Sequence, residues 1–315
     1  MPTTWDEPAT GGIYEMRIGA KHAFFTFSAD NPPVARVAPG TSVTFVTQDC
    51  FSGQVASPDQ RLEEVDFTRV NPATGPLYIE GAEPGDALRV RIEAITPAAR
   101  GVTVAIPGLG VLGDRVQGSL TKVVAVRDQW VDFGAGIRLR ARPMVGVIGV
   151  APARGAVPCG VPGDHGGNLD TKQIGPGAEV VLPVFHPGGL LGLGDVHAVI
   201  GDGEICGTGI EVAAEVTVTV VVDKGAAPPR PRVKLPGQLL FLASAETLEE
   251  ALKMVANDVV SYLQLRYRLD FPSAYALASA WADFHISQAV NPRVTVKGIL
   301  RTSEVAGDAS DSPGS

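Results

Sequence analysis

Short runs of alternating apolar and polar residues, separated by turns rich in Gly and Pro, constrain the fold of this chain more than any other feature. In Glu215–Val222 (EVTVTVVV), every second residue from Val216 to Val222 is valine, and in Asp86–Ile95 (DALRVRIEAI) Leu, Val and Ile alternate with Arg and Glu. Because neighbouring residues of a strand point to opposite faces, each run predicts a half-buried β-strand.

Similar runs recur as far as about residue 240, without the strand–helix alternation that is typical of a doubly wound parallel sheet. The 315 residues include 37 glycines and 25 prolines, a composition that favours many short strands and turns. We therefore predict a mainly β fold, with an antiparallel β-sandwich or barrel body over residues 10–235, built as one body or as two β subdomains.

The pattern changes after Lys224–Pro236 (KGAAPPRPRVKLP), which predicts a linker. Thr247 and Glu250 have the spacing of a capping box at the start of a helix. The predicted elements are a strand at 238–243, a helix from Thr247 to about Arg266, a helix from Pro272 to about Trp281 and a strand at 293–300. They indicate a small β-α-α-β unit over residues 236–302, followed by a disordered tail at 303–315.

Charge and cysteine usage limit the possible partners and the compartment. Lys and Arg number 26 against 34 Asp and Glu, a net charge of −8, which argues against a nucleic acid or an anionic membrane as partner. Neither an apolar membrane span nor a signal-peptide core is recognisable, and the three cysteines form no close pair. These features predict a soluble, cytoplasmic protein with reduced thiols.

The stretch 163–215 is glycine-rich and holds three of the five histidines. Within it, Asp195 and His197 are two residues apart, so in an extended strand both side chains point to the same side. That arrangement suits two ligands of one metal ion, or a carboxylate beside a base. The alternative is a surface Asp near a structural His. Glu204, in a glycine-bracketed segment, is a further candidate for acid–base chemistry.

Asn168 and Asp170 repeat this spacing in a GNLD segment, although a simple Asx turn would explain them equally well. Asp49 stands where an apolar strand gives way to polar residues. The neighbouring Cys50 is either a nucleophile, for which the sequence shows no partner base, or an inert buried thiol. Recognisable motifs of α/β-hydrolases, P-loop proteins, zincins and zinc ribbons are missing from the sequence.

Several segments together resemble the acetamidase/formamidase family of metal-associated amide hydrolases. They are GNLDTKQIGPG (167–177), LPVF (182–185), LGDVHAVIGDGEICGTGIE (193–211), DCFSGQ (49–54) and NPATGPLYIEGAEPGDAL (71–88). Further agreement comes from MVGVIGVAP (144–152) and HISQAVNPRVTVKGIL (285–300). The resemblance covers most of residues 40–300 in matching order.

The resemblance implies a mostly β enzyme that hydrolyses small aliphatic amides, such as formamide or acetamide, to a carboxylate and ammonia. It also implies a homo-oligomer, a dimer or larger, and a divalent metal, for which we expect zinc, with calcium or manganese as alternatives. On this hypothesis Asp195, His197 and Asp49 are metal ligands. Glu204 transfers protons, Asn168 stabilises the oxyanion and Asp170 is a further catalytic residue or ligand.

Two alternatives remain at this point. One keeps the reaction but makes Cys50 a covalent nucleophile. The other is a non-catalytic β-sandwich module that binds a small ligand.

Overall fold

A computed structural model describes residues 16–60 and 62–306 of the protein. Most of the predicted disordered tail, residues 307–315, lies outside the described residues. The part of it that is described begins within a short 3-10 helix, Thr302–Glu304.

Most regular elements are strands. The first are β1 (Met16–Ile18), β2 (Ala23–Phe24), β3 (Thr26–Ser28), β4 (Ala35–Val37), β5 (Ser42–Thr47), β6 (Ala73–Ile79), β7 (Ala87–Pro97), β8 (Arg100–Ala105), β9 (Leu120–Arg127), β10 (Trp130–Gly134) and β11 (Ile137–Arg140). The others are β12 (Met144–Gly149), β13 (Ala156–Pro158), β14 (Gly166–Asn168), β15 (Glu179–Pro183), β16 (Leu191–Val199), β17 (Ile210–Val212), β18 (Ala214–Asp223), β19 (Arg232–Leu235), β20 (Gln238–Ala245), β21 (Asp283–Gln288) and β22 (Val294–Leu300). Two α-helices, α1 (Leu248–Tyr267) and α2 (Phe271–Trp281), and the 3-10 helices Ala20–His22, Leu62–Glu64, Phe67–Arg69 and Gly113–Arg115 complete the described elements.

Two large open sheets form the body, which confirms the prediction of a mainly β fold. The first has the order β1-β5-β18-β7-β15-β19-β20-β22-β21. The second runs β11-β10-β9-β8-β17-β16-β12-β14, with β6 added on β16 and with β2 and β4 added on β6. Pairing is antiparallel except between β1 and β5 and between β4 and β6. A separate ribbon pairs β3 with β13.

The two sheets enclose one main core, as the layers of a sandwich do. The alternating runs supply it: Val218 of β18 stands opposite Ile92 of β7, and both side chains are fully buried. From the second sheet, Ile148 of β12 and Leu193 of β16 join the same cluster. Of the two predicted forms of the body, the open sandwich is the one observed.

The helix α1 begins where the capping box predicts it, and α2 begins at Phe271, one residue before the predicted start at Pro272. Thr247 accepts a hydrogen bond from the backbone N–H of Glu250 at 3.2 Å, and Asp270 accepts one from Ser273 at 3.0 Å. The helix α1 ends at Tyr267 and is followed by the C-cap residue Arg268, which takes the left-handed conformation with φ 54°. Both helices pack on one face of β20 and β22 and form a second core. Neither helix of the described residues is long and apolar enough to span a membrane.

The sequence reasoning missed two strands in this region. β19 lies inside the segment predicted as a linker and pairs with both β15 and β20, so the first sheet continues across the predicted boundary at residue 235. The prolines around it hide its short alternating pattern. The second missed strand, β21, extends the expected order to β-α-α-β-β. It was missed because Asp283–Gln288 (DFHISQ) has no clean apolar alternation. The domain limits themselves stay a prediction.

The second core predicts a sharp contrast between two leucines of α1. Leu263 is fully buried, whereas Leu265 is 83% exposed. Leu263→Ala should lower the free energy of unfolding by about 2–5 kcal/mol, because the cavity it leaves adds to the lost burial. Leu265→Ala should change it by no more than about 0.5 kcal/mol. Denaturant unfolding of both variants checks this, and equal effects would contradict the packing described.

Candidate active site

Four carboxylates and one imidazole meet inside the body and form what we call the acidic cluster: Asp170, Asp195, His197, Glu204 and Glu211. None of the five residues is more than 7% exposed. Burying several like charges together is costly unless protons, partners or a cation compensate them.

The cluster is built on two neighbouring strands and two loops. Asp195 and His197 belong to β16, and Glu211 belongs to β17, where it pairs directly with His197 across the ladder. Asp170 follows β14, and Glu204 lies in the loop between β16 and β17. Antiparallel pairing thus brings together residues that are well separated in the chain.

The imidazole lies at the centre. His197 Nε2 is 3.0 Å from Glu211 Oε1, 3.2 Å from Glu204 Oε1 and 4.0 Å from Asp170 Oδ1. The backbone N–H of Gly209 also donates to Glu211 Oε1, at 2.9 Å, and fixes that carboxylate. His197 therefore connects three carboxylates that come from three separate places in the sequence.

The backbone is unusual at three of the carboxylates. Asp170, Asp195 and Glu204 have φ angles of 40°, 52° and 44°, in the left-handed region that non-glycine residues seldom adopt. Such conformations persist where the surroundings enforce them, which is common at functional sites. The sequence argument assumed an extended strand through Asp195. Instead, Asp195 takes the left-handed conformation within β16, opposite Gly146 in the unshifted β12–β16 register.

Two glycines leave the space that the cluster needs. A Cβ atom on Gly146 would lie 2.5 Å from Asp170 Oδ1 and 2.7 Å from the carbonyl oxygen of Asp195. A Cβ atom on Gly209 would lie 2.5 Å from Cδ2 of His197. Neither position accepts a side chain without a shift of the neighbouring site residues.

The electrostatics favour added positive charge. Burial by itself lowers the pKa of His197, but Glu211, Glu204 and Asp195 outweigh it and hold that pKa well above its ordinary value. Burial first, and then the neighbouring carboxylates, raise the pKa values of Asp170 and Asp195 well above the usual range. The cluster therefore takes up protons, or a cation in their place.

Unpartnered atoms show that a divalent cation fits these residues. The fully buried atoms Asp170 Oδ1, Asp195 Oδ1, Glu211 Oε2, Asn168 Oδ1 and His197 Nδ1 have no hydrogen-bond partner among the described residues. Three groups have ligand atoms within 4.8 Å of one another: Cys50–Asp195–Glu211, Asp170–Asp195–His197 and His197–Glu204–Glu211. Carboxylate oxygens with one imidazole suit zinc, manganese or calcium.

Of the residues predicted from the sequence, Asp170, Asp195, His197 and Glu204 come together and Asp49 stands apart. Asp49 Oδ1 accepts hydrogen bonds from the backbone N–H groups of Phe51 at 3.0 Å and Gly53 at 2.9 Å, so it stabilises a turn. It belongs to none of the three groups found among the described residues. Its role as a metal ligand remains a prediction that this position does not support.

Glu211 is the member of the acidic cluster that sequence reasoning missed. It ends the segment LGDVHAVIGDGEICGTGIE, where its position along the chain does not point to His197. Strand pairing reveals its place in the site, whereas sequence spacing does not, because Glu211 faces His197 only when β17 lies beside β16.

The C-terminal hairpin of β21 and β22 also contributes to the site. Asn291, in the turn of this hairpin, donates from Nδ2 to Asp170 Oδ2 at 2.8 Å and to the carbonyl oxygen of Asn168 at 3.1 Å. Gly203, next to Glu204, donates its N–H to the carbonyl oxygen of Ser287 at 2.8 Å. The small C-terminal unit thus holds two loops of the acidic cluster.

A buried lysine connects the same two loops. Lys297 of β22 is fully buried and donates from Nζ to Gln173 Oε1 at 3.0 Å and also to Asp202. Lys172 makes a second ion pair with Asp202 at 2.8 Å. Burial lowers the pKa of Lys297, while Asp202 opposes that shift. Lys297 thereby links the loop that bears Asp170 to the loop that bears Glu204.

Comparison with known proteins identifies the family of this chain. The model of the acetamidase/formamidase family matches residues 17–158 and 156–297. The chain belongs to the acetamidase/formamidase family. Its fold is similar to that of an acetamidase from Bacillus halodurans, with a TM-score of 0.89 and 43% identity over 90% of this chain and 97% of that one.

Two further relatives are similar to this chain, the first in structure and the second in sequence. A predicted acetamidase/formamidase from Thermoanaerobacter tengcongensis has a TM-score of 0.88 and 42% identity, over 91% of this chain and 96% of that one. A formamidase from Methylophilus methylotrophus is 28% identical over 61% of this chain and 61% of its own length. The chain thus spans less than two thirds of the length of the curated relatives that it matches.

The space beside Gly146 yields a prediction about the cluster itself. Gly146→Ala should lower the free energy of unfolding by about 1–3 kcal/mol, because the added methyl group overpacks the site against Asp170 and Asp195. The matched control is Gly118→Ala, where a Cβ atom would meet nothing within 4 Å. Denaturant unfolding and a crystal structure of each variant check this. Equal stability with unmoved carboxylates in Gly146→Ala would contradict it.

Proposed function

We propose that this protein is an amidohydrolase that cleaves small amides of the formamide or acetamide type to a carboxylate and ammonia. The observation that carries the proposal is the acidic cluster, whose buried carboxylates surround His197 and leave several polar atoms unpartnered. Its occurrence in a member of the acetamidase/formamidase family supports the same reaction.

The chemistry sets three requirements. Amide resonance stabilises the substrate, and an amide nitrogen is a poor leaving group. A catalyst must therefore polarise the carbonyl, activate a water molecule and protonate the departing nitrogen.

Asp170, Asp195, Glu211 and His197 are the residues that would hold a divalent cation, for which we propose zinc, with calcium or manganese as alternatives. When bound, such an ion supplies Lewis-acid polarisation of the carbonyl and acidifies a water molecule. The chain's own contribution is the fixed arrangement of these ligands. Gly209 fixes Glu211, and Asn291 fixes Asp170.

Glu204 is suited to move the protons. It is the most exposed residue of the acidic cluster, at 7%, and its Oε1 lies 3.2 Å from His197 Nε2. In the proposed reaction a water oxygen bonds to the carbonyl carbon while Glu204 accepts a proton from that water. Glu204 then gives the proton to the nitrogen as the C–N bond breaks and ammonia leaves. Asn168, 3% exposed, is proposed to stabilise the oxyanion.

We further propose that the protein acts in the cytoplasm as a homo-oligomer. The free thiols of Cys50, Cys159 and Cys206 support a reducing compartment. The oligomer is supported only by the family resemblance. The net charge of −8 makes a nucleic acid an unfavourable partner.

Ammonia release from formamide, acetamide and propionamide tests the function directly. Turnover that is saturable in amide supports the amidohydrolase. Binding of these amides without any release of ammonia would instead support the non-catalytic β-sandwich module and overturn the proposal.

Glu204→Gln should lower kcat by about 10²–10⁴-fold, because the amide keeps the shape of the side chain but transfers no proton. The value of KM should change little. Glu249→Gln, at an exposed position on α1, serves as the control and should leave both constants unchanged. Full activity of Glu204→Gln in the ammonia assay would remove Glu204 from the mechanism.

The alternative nucleophile, Cys50, lies in an unfavourable environment. Burial, and then the carboxylates of Glu211, Asp195 and Asp49, raise the pKa of its thiol well above the ordinary value, whereas a nucleophile must be a thiolate. Cys50→Ala should therefore keep kcat within about tenfold of the unchanged protein, since a true nucleophile contributes far more than that. Complete loss of turnover, with an acyl-enzyme detected by mass spectrometry only when Cys50 is present, would favour the covalent mechanism.

A further inference from the structure

A cavity of about 750 Å³ adjoins the acidic cluster, and we call it the Cys50 cavity. Cys50 lines it and also forms a group with Asp195 and Glu211, with ligand atoms within 4.8 Å of one another. Asn291 lines it as well and donates a hydrogen bond to Asp170 at 2.8 Å. Cys50 and Asn291 therefore form the boundary between this cavity and the acidic cluster.

The lining of the Cys50 cavity carries no formal charge. Among the described residues that line it there is no Asp, Glu, Lys, Arg or His. Large apolar side chains form much of the wall, including Phe25, Phe51, Phe67, Ile106 and Leu109. The polar lining groups are neutral hydroxyls and amides. A charged substituent would thus lose hydration here without gaining a partner.

The size of the Cys50 cavity exceeds what the smallest amides use. Cavities of about 300–1,000 Å³ enclose ligands of drug size, so a one- or two-carbon amide leaves most of this space unfilled. Apolar groups on the acyl side of a larger amide would be removed from water against the phenylalanines and aliphatic side chains, which favours binding in proportion to the area buried.

We propose that the Cys50 cavity is an acyl-binding pocket that selects uncharged primary amides whose acyl group is apolar and larger than acetyl, either a short alkyl chain or an aryl ring. The reactive amide group faces the acidic cluster, and the apolar group lies against the phenylalanine-lined wall. This inference rests on the proposed amide hydrolysis and specifies its substrate class.

The test compares kcat/KM for formamide, acetamide, butyramide, benzamide and succinamate by ammonia release with the full-length protein. Butyramide or benzamide should exceed acetamide by at least about tenfold, since each methylene buried in an apolar pocket is worth that much or more. Succinamate, which has the chain length of butyramide with a terminal carboxylate, should fall at least about tenfold below butyramide.

A kcat/KM that is highest for formamide and falls steadily with acyl size would overturn the assignment of the Cys50 cavity as an acyl-binding pocket. It would leave the proposed amide hydrolysis intact. Equal rates for butyramide and succinamate would overturn it as well, because the lining would then not discriminate against charge. No ammonia from any amide would overturn both the pocket and the proposed function.

A variant locates the selectivity in the lining. Phe67 is 53% exposed, so Phe67→Asp places a carboxylate in the wall without removing a core side chain. The ratio of kcat/KM for benzamide to that for formamide should fall by about tenfold. Phe67→Ala should lower this ratio less, because it removes apolar surface without adding charge. Leu265→Asp, at an 83% exposed position on α1 outside the cavity lining, is the matched control and should leave the ratio unchanged. An equal ratio in Phe67→Asp and Leu265→Asp would overturn the assignment of this wall to the acyl group.

Discussion

The mutual approach of buried acidic side chains around His197 is the constraint on which the rest of this structure depends. Like-charged carboxylates repel, and each loses hydration when it is buried, so they stay together only with compensating protons or a cation. Two observations reflect this repulsion and loss of hydration. His197 lies between Glu211 and Glu204, and the pKa values of Asp170 and Asp195 are raised. The proposed amide hydrolysis depends on the same cluster of carboxylates around His197.

The surrounding fold holds this arrangement from several directions. Pairing of β17 with β16 places Glu211 opposite His197, and the missing side chain of Gly146 leaves space for two carboxylates. On the other side, Asn291 and Lys297 reach in from the C-terminal hairpin and connect the loops that carry Asp170 and Glu204. The C-terminal unit thus stabilises the site in addition to forming a core of its own.

Much of the fold was predictable from the sequence, because alternating runs such as Glu215–Val222 depend only on local periodicity. The start of α1 likewise follows from capping at Thr247, and the start of α2 follows from the preference of Pro272 for a first helical turn. The strand β19, in contrast, was hidden among prolines. For the site, spacing and family resemblance identified Asp195, but neither identified the partner across the sheet. Such contacts depend on which strands become neighbours, and single-sequence spacing carries no information on that pairing.

The central claim is that the acidic cluster holds a divalent cation. Elemental analysis of the purified protein tests it most directly, with Glu211→Gln as the variant and Glu249→Gln, exposed on α1, as the control. We predict a stoichiometric amount of divalent metal in the unchanged protein and in the control. The metal should be lost from Glu211→Gln, because a neutral amide binds such an ion far more weakly. An active protein without metal, or full metal content in Glu211→Gln, would contradict it.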